Sequence, residues 1–335
     1  MDISVVIATI GREKDLIKAL RSIEANSVNP FEILIIDQGN IQPKTLENFN
    51  LNLILIKINK KSSAQARNIG IELFKGDIIT FLDDDVILNK NYFKEVLKSF
   101  ENNKQVKIVQ GKITNFKDGK LSNLFWGIFL GSGSLKKRIF VRIYNFEAIF
   151  YKPYLNSEQF CMWASGSNMN VKSEVFNYER FDSQLVRYSA GEDLDFSFRV
   201  YKRFGAKSIL FQPKAQLLHN VAPGGRLARF DLMLMRRVHK IYFVYKNNKD
   251  IKKDKSIVYL LKQFWYLLGC MTINIYQLCK GNYRPLFYFF AIEYQVFLHR
   301  KDIRNLNIEW MNVKLFNEKS VPKAEITKII KIKTL

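Results

Sequence analysis

Gly76-Asp-Ile-Ile-Thr-Phe-Leu-Asp-Asp-Asp85, running on into Val86-Ile-Leu88, is the stretch on which the fold turns. Its middle is a β-branched, apolar run short enough for a buried strand, and its end carries three acidic side chains in a row. Carboxylates delivered together at a strand end offer hard oxygen ligands to a divalent cation. Aspartates also favour turns and helix starts, so the same triplet has a second reading as a capping cluster before a helix over residues 91–97.

Working outward from the triplet, residues 3–8 form a second β-branched run, and residues 13–25 follow as a helix with Leu16, Ile17, Leu20 and Ile23 on one face. Residues 31–36 and 53–58 read as further buried strands. Ser63 opens a helix that runs to Phe74, and Lys75-Gly76 stops it before the strand of the triplet. Strands alternating with helices predict an α/β fold with a mostly parallel sheet. In such sheets ligands gather outside the carboxyl ends of the strands, which places Thr9, Asp37 and Asp83 on one rim. Asp37, in Asp37-Gln-Gly-Asn40, has a second reading as a turn former.

Residues 124–154 are rich in aromatic side chains but carry no clear period. Order returns at Met162-Trp-Ala-Ser-Gly-Ser-Asn168, which flows into an extended run. Gly191-Glu-Asp-Leu-Asp195 then opens a helix that Arg203 and Gly205 close, with Glu192 and Asp193 in its first turn. Acids there favour the helix dipole, so a plain capping role competes with a catalytic one. A strand over residues 208–211 leads to His219, which reads either as a structural histidine or as a ligand.

The composition bounds the partners. The chain has 335 residues, 47% hydrophobic and 25% charged, as expected of a folded protein rather than a disordered one. A net charge of +22 predicts anionic partners. No zinc-finger, helix-turn-helix or RNA-recognition signature accompanies the bases, so nucleic acid is not the expected partner; membrane lipid or a phosphorylated substrate is. Cys161, Cys270 and Cys279 lack the spacing of a disulfide framework or zinc site, and the amino terminus enters a strand without a leader pattern. A reducing cytoplasm is the expected setting.

Taken in order, Val5-Val-Ile-Ala-Thr9, Ile35-Ile-Asp-Gln-Gly39, Ala66-Arg-Asn-Ile-Gly70, the triplet strand, Gly166-Ser-Asn168, Gly191-Glu-Asp193 and His219 resemble the inverting glycosyltransferases of family 2, with the GT-A fold. The resemblance covers about the first 220 residues. It implies a nucleotide-sugar donor and a glycan or lipid-linked acceptor in cell-surface polysaccharide synthesis. It assigns Asp85, Asp83 and His219 to Mn²⁺ or Mg²⁺, with the imidazole favouring Mn²⁺. It assigns Thr9, Asp37, Gln38, Arg67, Asp83 and Asp84 to the nucleotide sugar, and Trp163, Gly166 and Asn168 to a loop facing acceptor or donor sugar. Asp193 becomes the general base with Glu192 in support; no distinct task falls to Asp84. Many relatives carry a second acid where this chain has Gln38, which leaves the base open among UDP, the first expectation, dTDP and GDP.

The resemblance divides the chain into a catalytic domain over residues 1–222, with nucleotide-sugar and acceptor halves meeting near residue 112, and a basic, apolar helical region over residues 223–335. There, residues 226–262 are strongly basic, and residues 257–278 are apolar but for a weakly polar stripe of Gln263, Cys270, Asn274 and Gln277. Residues 286–298 add an aromatic-rich segment. These helices pack on the protein or in a homo-oligomer, lie on an anionic membrane surface, or span it. For the second arrangement, the resemblance implies a peripheral place on the inner face of a bacterial cytoplasmic membrane, where similar enzymes extend lipid-linked glycans. A competing functional reading is a catalytically inactive, basic module of the same fold that binds membrane or polyanion; the intact acidic motifs count against it.

Overall fold

The computed structural model describes residues 1–115, 140–142, 147–149, 156–220, 227–248, 257–317 and 324–332. The aromatic stretch over residues 124–154 lies largely outside them, as do the boundary near residue 222 and part of the basic run. The chain divides into two units, one formed by Met1–Lys117, Lys152–Arg226 and Val321–Leu335, the other by Asp118–Tyr151 and Leu227–Ser320.

In the first unit the elements are β1 (Ile3–Thr9), α1 (Glu13–Glu24), β2 (Glu32–Asp37), β3 (Leu53–Ile58), α2 (Ser63–Leu73), β4 (Ile78–Asp83), β5 (Val86–Leu88), α3 (Tyr92–Asn102) and β6 (Ile108–Ile113). After β7 (Phe140–Arg142) and β8 (Glu147–Ile149), which pair antiparallel in the second unit, come β9 (Gln159–Phe160), β10 (Asn168–Lys172), α4 (Glu192–Phe204) and β11 (Ile209–His219). The sheet runs β12-β3-β2-β1-β4-β10-β6-β11-β5, where β12 is Ile326–Ile332, and β9 pairs with β11. Strands β3, β2, β1 and β4 are mutually parallel, whereas β10 runs antiparallel to β4 and β6. The expected mixed, mostly parallel sheet flanked by helices is therefore present.

Burial follows the period of each element. Strand β2 is buried at every position, as befits a central parallel strand covered on both faces. On α1 the buried residues are Leu16, Ala19, Leu20 and Ile23, spaced as one face of a helix. Helix α2 is capped by Ser62, whose Oγ accepts the Gln65 N–H at 3.2 Å. Its Gly70 lies so close to β1 that a Cβ there would stand 2.5 Å from Val6 Cγ1, so this approach of helix to sheet requires glycine.

The region after residue 223 is not wholly helical. Its end, Ile326–Ile332, pairs antiparallel with β3 at the edge of the first unit's sheet. The β-branched content of Ile-Thr-Lys-Ile-Ile-Lys-Ile suits a strand, and β3 offers it an unpaired edge. The second unit holds α5 (Arg229–Asn247), α6 (Ile257–Cys279), α7 (Arg284–Leu298), α8 (Arg300–Arg304) and α9 (Glu309–Phe316). Arg237 of α5 ties three of them together. Its Nε and Nη2 donate to the two carboxylate oxygens of Glu293 on α7 at 2.8 and 3.2 Å, and its Nη1 donates to Gln263 Oε1 on α6 at 3.0 Å. Among the described residues no helix is long and apolar enough to cross a membrane.

Candidate active site

The parallel register that aligns Ala8 of β1 with Asp83 of β4 brings the carboxyl ends of both strands to one rim. Past the triplet the chain turns into β5, which pairs antiparallel with the end of β11 so that Val86 faces His219. A main-chain bond from the Asn220 N–H to the Asp85 carbonyl, 2.9 Å, fixes that return. The histidine is thus carried back to the triplet from 134 residues downstream of Asp85, on the order of a whole small domain away in sequence.

His219 Nε2 lies 3.1 Å from Asp85 Oδ1 and 3.7 Å from Asp83 Oδ2. One ligand atom from each of the three residues falls within 4.8 Å of the others. Two carboxylate oxygens and an imidazole nitrogen are a donor set that suits a divalent ion such as Mn²⁺, so the residues present fit the cation expected. Burial pushes the His219 pKa down, but the bond and charge of Asp85 and the charge of Asp83 outweigh it and raise the imidazole above its ordinary value. Proton and divalent cation would therefore compete for the same imidazole nitrogen.

Asp84 is turned away from this trio. Its side chain is fully buried, accepts Thr9 Oγ1–H at 2.7 Å and Arg12 Nε–H at 3.0 Å, and pairs with Arg12 Nη2 at 2.7 Å. Burial nonetheless pushes it up to about 7, against the pull of Arg12 and Thr9. Arg12 also reaches Asp85, Nη1 to Oδ2 at 3.3 Å. This arginine escaped the sequence reading, although a cation one turn beyond the end of β1 faces the rim on which the triplet was expected.

Arg67 joins the triplet to the second acidic pair. From the second turn of α2 it donates Nη2–H to Asp83 Oδ1 at 3.1 Å and to the Gly166 carbonyl at 3.4 Å, and Nη1–H to Glu192 Oε1. Burial would depress the guanidinium, but Glu192, Asp83 and Asp193 together raise its pKa, so it stays charged. Burial pushes Glu192 up to about 8 despite the Arg67 contact. Asp193 is raised by burial too, against bonds from the Gly166 N–H at 2.9 Å and the Leu194 N–H at 2.8 Å. Gly191 starts α4 from φ +87°, a left-handed conformation that favours glycine, and so turns both acids inward.

The remaining expected residues are placed differently. Gly166 belongs to the cluster, but Trp163 and Asn168 of the same loop lie in the core, 2% and 0% exposed. Asn168 Oδ1 accepts the Gly111 N–H at 3.1 Å and the Tyr92 hydroxyl, because residue 168 is already paired with Leu82 within the sheet. Asp37 is buried and accepts the Gly39 and Ile41 N–H groups at 2.8 and 2.9 Å, which is the turn-forming reading of that residue. Gln38 Oε1 accepts the Ser62 N–H at 2.6 Å, tying the β2 loop to the start of α2.

The family model described as glycosyl transferase family 2 matches residues 4–161. Glycosyltransferase GlyG of Streptococcus pneumoniae is 25% identical over 248 residues, covering 72% of this chain and 78% of the relative. A Campylobacter jejuni protein named GalNAc(5)-diNAcBac-PP-undecaprenol beta-1,3-glucosyltransferase is 23% identical over 218 residues, covering 62% of this chain and 66% of its own. In fold, the chain is similar to the crystal structure of GalNAc-T7 with UDP, GalNAc and Mn²⁺, with a TM-score of 0.54 at 15% identity, covering 79% of this chain and 53% of that one. Fold and relatives together define a glycosyltransferase of the GT-A class. The match to glycosyl transferase family 2 spans residues 4–161, and the similarity to GlyG extends over 72% of the chain.

Proposed function

We propose that this chain catalyses a metal-dependent, inverting transfer of a sugar from a nucleotide sugar, a UDP-sugar first among them, to a glycan or lipid-linked acceptor of cell-surface polysaccharide. The observation that carries the reading is the separation of two acidic groups by one buried arginine: Asp83 on one side of Arg67, Glu192 on the other. An inverting displacement needs that division, because leaving group and attacking hydroxyl lie on opposite faces of the anomeric carbon.

Asp83, Asp85 and His219 would hold the divalent cation. When bound, it supplies positive charge that neutralises the departing nucleoside diphosphate as a Lewis acid. Arg67, kept charged by its carboxylate neighbours, adds a fixed positive charge beside the same rim. Asp193 is the general base: its raised proton affinity suits it to take a proton from an acceptor hydroxyl, and two backbone N–H groups orient its carboxylate. Glu192 holds Arg67 and supports Asp193, while Asp84 with Thr9 and Arg12 braces the turn that presents Asp83 and Asp85. Asp37, Gln38, Trp163 and Asn168 act on the donor and acceptor pockets through the loops they fix.

The name of the Campylobacter relative, which specifies an undecaprenol-linked acceptor, supports the lipid-linked alternative and a peripheral place on an anionic membrane face. A panel of nucleotide sugars with Mn²⁺, followed by release of nucleoside diphosphate, tests the transferase reading. Asp193→Asn is expected to bind donor and to lose turnover by at least about a thousandfold, within the range of general-base contributions; undiminished turnover would remove Asp193 from the mechanism.

A further inference from the structure

Helix α6 is built inside out. Its polar residues face the helical unit: Gln263 accepts from Arg237, Asn274 is buried, and Tyr266 lies under the Arg237 guanidinium at 4.6 Å. Its apolar residues face outward. Leu261, Phe264, Leu268, Met271, Ile275 and Leu278 are all exposed, spaced by three and four residues. With Trp265 and Tyr276 beside them the exposed apolar arc spans roughly 160° at 3.6 residues per turn. Helix α7, packed against α6, repeats the pattern with Phe287, Phe290, Tyr294 and Phe297. Phe264 and Phe287 are 65% and 69% exposed, so the face is open rather than merely rimmed. Contiguous apolar surface of this kind marks an interaction site.

Charge decides what covers it. Helix α6 contains no acid at all, and the only acid of α7, Glu293, is spent on Arg237. Lys262, Lys280, Arg284 and Arg300 are exposed along the edges. Two of these cations lie over aromatic rings of the face itself, Lys280 at 4.5 Å from the Tyr276 centroid and Arg300 at 4.3 Å from that of Phe297. An apolar face edged by cations and aromatic rings matches the boundary between acyl chains and anionic headgroups. A second copy of the chain would bring the same cations and another +22 charges to the contact.

We infer that the outward faces of α6 and α7 form a monotopic docking surface that lies in the interface of an anionic lipid bilayer. The surface is distinct from the acidic cluster and gives residues to the peripheral location proposed above, on which it rests. Neither helix crosses the bilayer; both lie along it, with Trp265, Tyr276 and Tyr294 at headgroup depth.

Co-sedimentation of the full chain with phosphatidylglycerol and with phosphatidylcholine vesicles tests the inference. Binding is expected to the anionic vesicles and to weaken with salt. Phe264→Ser combined with Phe287→Ser is expected to lower partitioning by about tenfold or more, and Lys280→Glu with Arg300→Glu to remove the preference for anionic lipid. Both pairs are exposed, so nucleotide-sugar hydrolysis in solution should be unchanged. Absent vesicle binding, or binding unchanged in the serine variant, overturns the inference; so does a dimer in sedimentation velocity that the serine variant disperses. Turnover retained without vesicle binding leaves the transferase reading standing, whereas lost turnover with intact binding counts against that reading alone.

Discussion

Arg12 and Asp84, 72 residues apart in sequence, meet in an ion pair in which Nε–H donates to Oδ2 at 3.0 Å and Nη2 stands 2.7 Å from Oδ1. The pair gives the middle aspartate of the triplet its task. Asp84 is anchored inward on Thr9 and Arg12, while its neighbours Asp83 and Asp85 face His219.

Arg12→Ala should therefore destabilise the fold as well as the site. It leaves a fully buried carboxylate without its cation; because the Arg12 side chain is 23% exposed, the loss should fall below that of a wholly buried pair, at about 2–3 kcal/mol. Arg12→Lys, which keeps the charge but not the fork, should recover only part of it. Urea denaturation reads both, and a loss below about 0.5 kcal/mol, the scale of ordinary surface substitutions, would mean that water replaces the guanidinium.

A second prediction concerns Gly166, whose missing side chain leaves room for Arg67. A Cβ at this position would stand 2.9 Å from Arg67 Nη2, 3.1 Å from its Cζ and 3.2 Å from Asp193 Cβ. Arg67 is held by Asp83 and Glu192 and has little freedom to retreat. Gly166→Ala is expected to lower kcat/KM by about a hundredfold through displaced catalytic groups, with Tm shifted by only a few degrees, as a small core overpacking gives. Unchanged kinetics would show that Arg67 can move without cost.

The residues just named show how far the sequence could be read. Strand ends are legible because β-branched runs stop at polar residues, and this placed Thr9, Asp37 and Asp83 at a rim before any geometry. Which way each side chain turns there is set by pairing across the sheet. Asp37 closes its own turn onto Gly39 and Ile41, a local bond that the residue types foreshadow. The Arg12 contact depends on the β1–β4 register, and the burial of Asn168 on its pairing with Leu82; neither leaves a local trace. The polar stripe of α6 was legible as a stripe. Its inward direction was not, because the partner that claims Gln263 is Arg237, on another helix.

Stability should depend on pH through Glu192. Its carboxyl is pushed by burial from an ordinary 4.5 to about 8, so the folded state holds the proton more tightly than the unfolded chain. The stabilisation that follows is fully present below pH 4.5 and is lost as pH rises through about 8. Between those limits the wild-type protein should lose stability with rising pH, and Glu192→Gln, which cannot ionise, should flatten that part of the curve. Tm measured at intervals across the window compares the two; parallel curves would show that the Arg67 contact keeps Glu192 ionised throughout.

His219 offers the cleanest test of the metal ligands, since Asp83 is also held by Arg67 and Asp85 by Arg12, and changing either acid disturbs a cation of the protein as well. The imidazole makes its ion-pair contacts with the two acids and feels Arg12 only as a more distant, opposing charge. After treatment with EDTA, Mn²⁺ is expected to raise Tm of the wild-type chain by stabilising the folded state in proportion to its affinity. His219→Ala should weaken Mn²⁺ binding by at least about tenfold and narrow the preference over Mg²⁺, because the nitrogen donor that favours the softer ion is gone while the oxygen donors remain. Calorimetric titration of both ions into both proteins separates the two effects. Equal Mn²⁺ affinity in the variant would place the cation on the carboxylates alone and leave His219 as a hydrogen-bond donor that holds Asp85 at the turn.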